Sequence, residues 1–140
     1  MSKKIRIYAD MVCDLFHRGH VEFLKKISKM EKNNSIIIGI HSDEVAEAYK
    51  KRPVFNMSDR VEIIKSCRYV DEVIPDAPFL ITEEFLKLHK IDIVVHGDDM
   101  PDILAKENYP IPIKLGIMKI VPRWAGISTT DIIEVIKIKE

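Results

Sequence analysis

Two stretches of this chain carry residue types able to manage a phosphate. The first is Asp14-Leu15-Phe16-His17-Arg18-Gly19-His20, where two histidines stand three positions apart. The second is Pro122-Arg123-Trp124-Ala125-Gly126-Ile127-Ser128-Thr129-Thr130-Asp131, where an arginine and a glycine precede three consecutive hydroxyls. Each lies where a short strand-like run gives way to helical spacing. A helix amino terminus presents unpaired N–H groups and a partial positive charge, so both places suit an anion. His17 before the first turn and His20 on it can meet the same anion, and Gly19 lets the backbone come close. Arg123 supplies a fork of donors, and Gly126, Ser128 and Thr129 complete a second cradle. Two cradles at one sheet edge suit a triphosphate held at both ends. Other readings stand beside these. Cys13, His17 and His20 can be drawn as three metal ligands, although no fourth follows at zinc spacing. Ser128 and Asp131 have capping-box spacing, which requires only a well-capped helix.

The elements that must hold these stretches follow from apolar periodicity. Ile5–Ala9 reads as a strand, and residues 19–31 as a helix with Val21, Leu24, Ile27 and Met30 on one stripe. Ile36–Ile40 is a second strand, and residues 44–49 form a short helix running into the basic loop 50–53. Asn56 caps the next helix, with Asp59 in its first turn and Val61 and Ile64 on its inner side. Strands over residues 70–74, 91–96 and 116–121 and helices over 83–88 and 129–138 complete the pattern. Alternating strand and helix predicts an α/β fold, a doubly wound and mostly parallel sheet. Ligands of such sheets bind beyond the carboxyl ends of the strands, at the switch in strand order. Three of the five glycines, Gly19, Gly97 and Gly126, fall in loops at that edge.

A chain of 140 residues is expected to form a single domain over 1–140. With 46% hydrophobic and 31% charged residues it has the balance of a soluble globular protein. Lys+Arg and Asp+Glu are both 22, which argues against broad electrostatic capture of nucleic acid or anionic membrane. The two cysteines, Cys13 and Cys67, lack the pairing of a zinc ribbon or redox motif. No signal peptide or membrane span is read, so the expected location is cytoplasmic.

His17-Arg18-Gly19-His20 together with Arg123 and Gly126-Ile127-Ser128-Thr129-Thr130 resembles the cytidylyltransferases, which carry H-x-G-H and R-T-x-G-I-S-T. Cys67-Arg68-Tyr69-Val70-Asp71-Glu72-Val73, Asp76-Ala77-Pro78-Phe79 and His96-Gly97-Asp98-Asp99 extend the match. They are similar to the phosphocholine and phosphoethanolamine enzymes and to the shorter glycerol-3-phosphate enzyme. The resemblance implies a Rossmann-like nucleotidyltransferase fold and transfer of CMP from CTP to a phospho-alcohol, releasing pyrophosphate. It implies His17, His20, Lys50 and Arg123 as the catalytic residues. Val12, Cys13, Asp14, Gly19, Asp98, Gly126, Ile127, Ser128 and Thr129 would surround the nucleotide, with Mg²⁺ riding on the triphosphate. Phe79, Asp98, Asp99, Asp102 and Arg68 would face the acceptor, and the Arg68–Val73 segment would lie near a homodimer contact. Arg68 and Asp71 also read as a structural ion pair. The chain ends at Glu140 without the long amphipathic helix of the animal phosphocholine enzyme, so stable membrane association is not expected. It departs from the family at Met11-Val12-Cys13-Asp14, where Gly-Thr-Phe-Asp is usual, and at Trp124-Ala125. These departures bear on base preference and keep an adenylyltransferase of the same superfamily in view. A nucleotide-binding sensor or subunit without catalysis is the alternative outside enzymes.

Overall fold

Pleating decides the core. Along β1 (Ile5–Met11), Ile7 and Ala9 face one side of the sheet and Tyr8 the other. β2 (Asn34–Ile40) repeats the alternation with Ile36, Ile38 and Ile40 against Ile37, and β4 (Ile93–Gly97) with Ile93 and Val95 against Val94. Successive side chains on a strand point to opposite faces, so strands whose central residues are apolar on both must be covered on both. The computed structural model describes residues 3–98 and 106–139. Leu24 and Ile27 of α1 (Arg18–Ser28) and Val61 and Ile64 of α3 (Met57–Lys65) cover one face. Leu86 of α4 (Glu83–Leu88), with Ile81, Ile91 and Tyr109, covers the other. Val21 and Met30, expected on the buried stripe of α1, are only half-buried.

With β3 (Glu72–Pro75) and β5 (Met118–Val121) the sheet has five strands in the order β3-β2-β1-β4-β5, all pairs parallel. The doubly wound α/β sheet expected from the sequence is therefore present. The helices between strands are completed by α2 (Asp43–Tyr49) and α5 (Pro110–Lys114), and α6 (Thr129–Lys139) follows the last strand. The periodicity gave no α5, because two prolines in five residues read as a breaker. Proline is tolerated in a first turn, where its missing N–H has no partner to lose. β3 starts two residues later than expected, since Val70 N–H still closes a turn on the Cys67 carbonyl. β5 also starts late, because Gly116, at φ +72°, ends α5.

The chain switches direction across the sheet between β1 and β4. The loop leaving β1 there is held by distant residues. Cys13 and Leu15 sit in the left-handed region at φ 57° and 49°, which costs roughly 1–2 kcal/mol each without glycine. Asp14 between them is buried, and its carboxylate accepts from Val54 N–H at 2.7 Å and Phe55 N–H at 3.0 Å. The fully buried Arg60 of α3 donates to the Val12 carbonyl at 2.7 Å, to the Phe55 carbonyl at 3.0 Å and to Asp43 at 2.7 Å. Asn56 caps α3 through Asp59 N–H, as its sequence position implied. These bonds fix where α1 begins.

Candidate active site

Beyond the carboxyl ends of β1, β4 and β5 lies a cavity of about 340 Å³. Its wall is built largely from two helix starts. At α1, His17 is the N-cap residue, and its Nδ1 accepts Gly19 N–H at 2.9 Å. His20, three residues on, returns the bond: its Nδ1 accepts His17 N–H at 3.1 Å. Because each Nδ1 is an acceptor, the neutral ring carries its proton on Nε2. Burial, then the nearby Arg123 charge, lowers the pKa of His17. Burial, then His17 and Lys50, pushes His20 down to about 4. Near neutral pH both imidazoles are uncharged Nε2–H donors, at 4.1 Å between ring centroids, on the edge of the cavity. A Cβ on Gly19 would stand 2.6 Å from His17 Cε1 and 3.3 Å from the Ile127 carbonyl. Gly19 thus makes room for the folded-back imidazole and for the α6 loop.

At α6, Ser128 and Asp131 form the reciprocal pair their spacing implied: Ser128 N–H donates to Asp131 at 2.9 Å, and Asp131 N–H to Ser128 Oγ at 3.1 Å. These bonds, with Arg123 nearby, hold the Asp131 carboxyl below its usual range. The loop before α6 is tied to α1. Lys26 donates to the Pro122 carbonyl at 2.9 Å, and Arg18 lies 5.1 Å from the Trp124 ring centre. Thr129 Oγ1 donates to the Asp14 carbonyl at 3.0 Å. Gly126 serves the indole: a Cβ there would fall 1.9 Å from the Trp124 ring.

The cavity brings together His17, Gly19, His20, Lys50, Arg123, Ile127, Ser128 and Thr129 of the residues expected at the site. Several others are elsewhere. Val12 gives its carbonyl to Arg60 and does not line the cavity. Cys13 packs in the core, where burial pushes its thiol up to about 12, so the three-ligand metal reading fails on geometry. Among the described residues no three His, Cys, Asp or Glu side chains gather as a metal site. Asp14 is spent on the Val54 and Phe55 amides, Asp98 accepts Arg123 N–H at 2.9 Å, and Gly126 lies outside the wall. Phe79 packs 5.2 Å from Tyr49 and 6.4 Å from His41, behind the cavity rather than on it. Arg68 lies over Tyr69 and bonds its hydroxyl at 3.0 Å, while Asp71 accepts Ile36 N–H, so the ion pair between them is not formed. Asp99 and Asp102 fall outside the described residues.

Asp10, Met11, Phe23 and His96 also line the cavity; Asp10 and Phe23 were not singled out from the sequence, while Met11 entered only as a departure from the family and His96 only within a matching segment. Asp10 is the one carboxylate among the described lining residues. It is buried at the end of β1, between the Tyr109 hydroxyl on Oδ1 and His41 Nε2, 3.1 Å from Oδ2. His41 Nδ1 meets the Tyr49 hydroxyl at 2.6 Å. Burial and the Asp10 charge raise the pKa of both tyrosines, so both hold their protons. An acid following the apolar run Ile7-Tyr8-Ala9 near the carboxyl end of β1 was the available signal for Asp10.

A family profile described as cytidylyltransferase-like matches residues 12–135. The chain belongs to this family. Choline-phosphate cytidylyltransferase of Saccharomyces cerevisiae is 43% identical over 134 residues, covering 94% of this chain and 31% of the relative. Choline-phosphate cytidylyltransferase 2 of Arabidopsis thaliana is 41% identical over 136 residues, 94% of this chain and 44% of that one. Ethanolamine-phosphate cytidylyltransferase of Dictyostelium discoideum is 40% identical, covering 91% and 36%. This cytidylyltransferase-like chain therefore spans less than half the length of these curated relatives. Among solved structures, the lipopolysaccharide core biosynthesis protein from Thermoplasma volcanium GSS1 superposes with a TM-score of 0.68 at 26% identity. That match covers 87% of this chain and 98% of the other.

Proposed function

We propose that the protein transfers CMP from CTP to a small phospho-alcohol, forming a CDP-alcohol and pyrophosphate. The carrying observation is that His17, His20, Lys50, Arg123 and the α6 hydroxyls converge on one cavity. The acceptor phosphate oxygen attacks the α-phosphorus of CTP, a P–O bond forms, and the bond to the β-phosphate oxygen breaks. No nucleophilic side chain is required, because positioning and charge stabilisation carry such transfers. The Nε2–H groups of His17 and His20 donate to the α- and β-phosphate oxygens where charge grows. Lys50 neutralises the α-phosphate and the attacking phosphate; Arg123, Ser128 and Thr129 hold the β- and γ-phosphates. Mg²⁺ carried on the triphosphate would neutralise leaving-group charge, and the Ser128 and Thr130 hydroxyls are hard-oxygen donors suited to it.

The relatives' names point to choline- and ethanolamine-phosphate acceptors. Phosphoethanolamine is our first choice. Its primary ammonium can donate to a carboxylate such as the exposed Asp98, whereas a quaternary ammonium needs aromatic faces, and Phe79 does not line the cavity. Asp98 Oδ1 accepts the Arg123 N–H at 2.9 Å, which sets this carboxylate beside the cavity lining. A homodimer belongs to the same reading: the Arg68–Val73 segment runs into β3, an edge strand, and exposed edges are commonly covered. Light scattering should give the mass of two chains. A cytoplasmic location also belongs to it, and no helix among the described residues is long and apolar enough to cross a membrane.

A pyrophosphate-release assay with CTP or ATP and phosphoethanolamine, phosphocholine or glycerol 3-phosphate tests the proposal. CTP with phosphoethanolamine should be fastest. No turnover with any pair while CTP binds would favour a nucleotide sensor, and faster turnover with ATP an adenylyltransferase.

A further inference from the structure

His96, near the carboxyl end of β4, lines the cavity but has no assigned part in the transfer step. Its Nδ1 lies 3.0 Å from the Gly97 carbonyl oxygen. A carbonyl only accepts, so Nδ1 carries a proton and donates, and in the neutral ring Nε2 is left with a lone pair. The ring is also packed against the buried Tyr109, at 5.7 Å between centroids. Nothing among the described residues bonds Nε2, and that nitrogen is not buried. His17 and His20 are arranged the other way round: each Nδ1 accepts a backbone N–H, and each Nε2 carries the proton. Lys50, Arg123 and the Trp124 indole only donate. Asp10 holds the Tyr109 hydroxyl on one oxygen and His41 on the other, so it offers the cavity no free acceptor. Among the described lining residues, His96 Nε2 is the side-chain nitrogen with an uncommitted lone pair.

Resting on the proposed transfer reaction, we infer that His96 is a specificity-determining residue: its Nε2 accepts an N–H of the acceptor's ammonium head group and so favours head groups that keep one. The donors and cations around it suit phosphates and repel a positive head group, which therefore needs acceptors of its own. Asp98 stands two residues further along the same segment, exposed, with Oδ1 on the Arg123 N–H. A carboxylate attracts any positive head group through charge, methylated or not. A neutral imidazole nitrogen gains only when a proton is donated to it. The two thus divide the recognition, Asp98 reading charge and His96 reading the N–H. A dimethylated ammonium still has one N–H and a trimethylated one has none, so discrimination falls at the last methyl group.

The test is steady-state kinetics with CTP and four acceptors: phosphoethanolamine, its N-methyl and N,N-dimethyl forms, and phosphocholine. In the wild type kcat/KM should drop about tenfold at the last methyl, the size of one hydrogen bond to a charged group. His96→Phe keeps a ring against Tyr109 and removes the nitrogen. It should lower kcat/KM about tenfold for the three acceptors with an N–H, leaving phosphocholine and the KM for CTP within about twofold. His96→Gln, whose side-chain carbonyl accepts, should recover much of the loss. An equal loss with all four acceptors would mean a phosphate contact or a structural role and would overturn the inference, as would no recovery with glutamine. If His96→Phe does not fold, the wild-type series carries the test: use of phosphocholine as efficient as that of the dimethyl form overturns the inference by itself. In each of these cases CMP transfer stands and only the role of His96 falls. If the wild type transfers CMP to no phospho-alcohol, the proposed function falls and takes this inference with it.

Discussion

The wall of the cavity and the layer behind it are built in opposite ways. At the nucleotide end, the decisive contacts are local: His17 and His20 cap each other's backbone across three residues, and Ser128 and Asp131 do the same at α6. In the buried layer behind the cavity they are distant: Tyr109 reaches Asp10 across 99 positions, and His41 across 31. The local set uses helix caps, whose geometry any chain with the right spacing can form. The distant set exists only once β1, β2 and the segment before α5 are in place. The helix-start contacts thus follow from local spacing, whereas the buried run depends on the assembled sheet.

The largest expected effect belongs to the local set. His17→Ala or His20→Ala should lower kcat about 10²–10³-fold, with much less effect on the KM for CTP. Steady-state kinetics on either variant that kept more than half of wild-type kcat would remove the histidines from the transfer step.

Next comes the brace on the β1–α1 loop. Asp14→Ala leaves the Val54 and Phe55 amides without their acceptor and should cost about 2 kcal/mol, read as a lower urea midpoint. A variant as stable as wild type would mean the strained β1–α1 loop does not depend on it.

Acid should reveal the buried imidazole. Burial holds the pKa of His20 in the folded protein at about 4, below the ordinary imidazole value of 6.5, so the unfolded chain takes up the proton first as pH falls. His20 thus costs stability progressively from near pH 6.5 down to about 4, and protonating Nδ1 would also break its bond to His17 N–H. His20→Gln should lose less stability than wild type between pH 7 and 4.5. An ordinary His20 titration near pH 6.5 by NMR would contradict the capped, neutral arrangement.

The smallest signal is optical. Trp124 lines the cavity under Arg18, so CTP with Mg²⁺ should change its fluorescence. A flat signal at saturation, with binding confirmed by calorimetry, would place the indole outside the nucleotide's reach.

The same contrast explains what could be read from residue order alone. The parallel sheet was legible because β-branched runs and helical stripes alternate, and the helix-start residues because caps act over three or four positions. Val12, Cys13 and Asp14 were assigned to the nucleotide from the family resemblance. Their side chains and carbonyls are instead consumed by Arg60, the core and the Val54–Phe55 amides. Phe79 was assigned to the acceptor from the resemblance; its ring packs on Tyr49 and His41 and is not among the cavity-lining residues. Asp10 and His41 were not singled out because nothing in their neighbourhoods along the chain announces a partner 31 positions away.

The central claim is that this one cavity joins CTP to a phospho-alcohol at the α-phosphorus. ³¹P NMR of the protein with CTP, Mg²⁺ and phosphoethanolamine tests it most directly. The account predicts pyrophosphate and CDP-ethanolamine in equal amounts, the latter with two coupled phosphorus signals, and near loss of both with His20→Ala. CMP and pyrophosphate without a CDP-alcohol, or an unchanged spectrum with CTP bound, would contradict it.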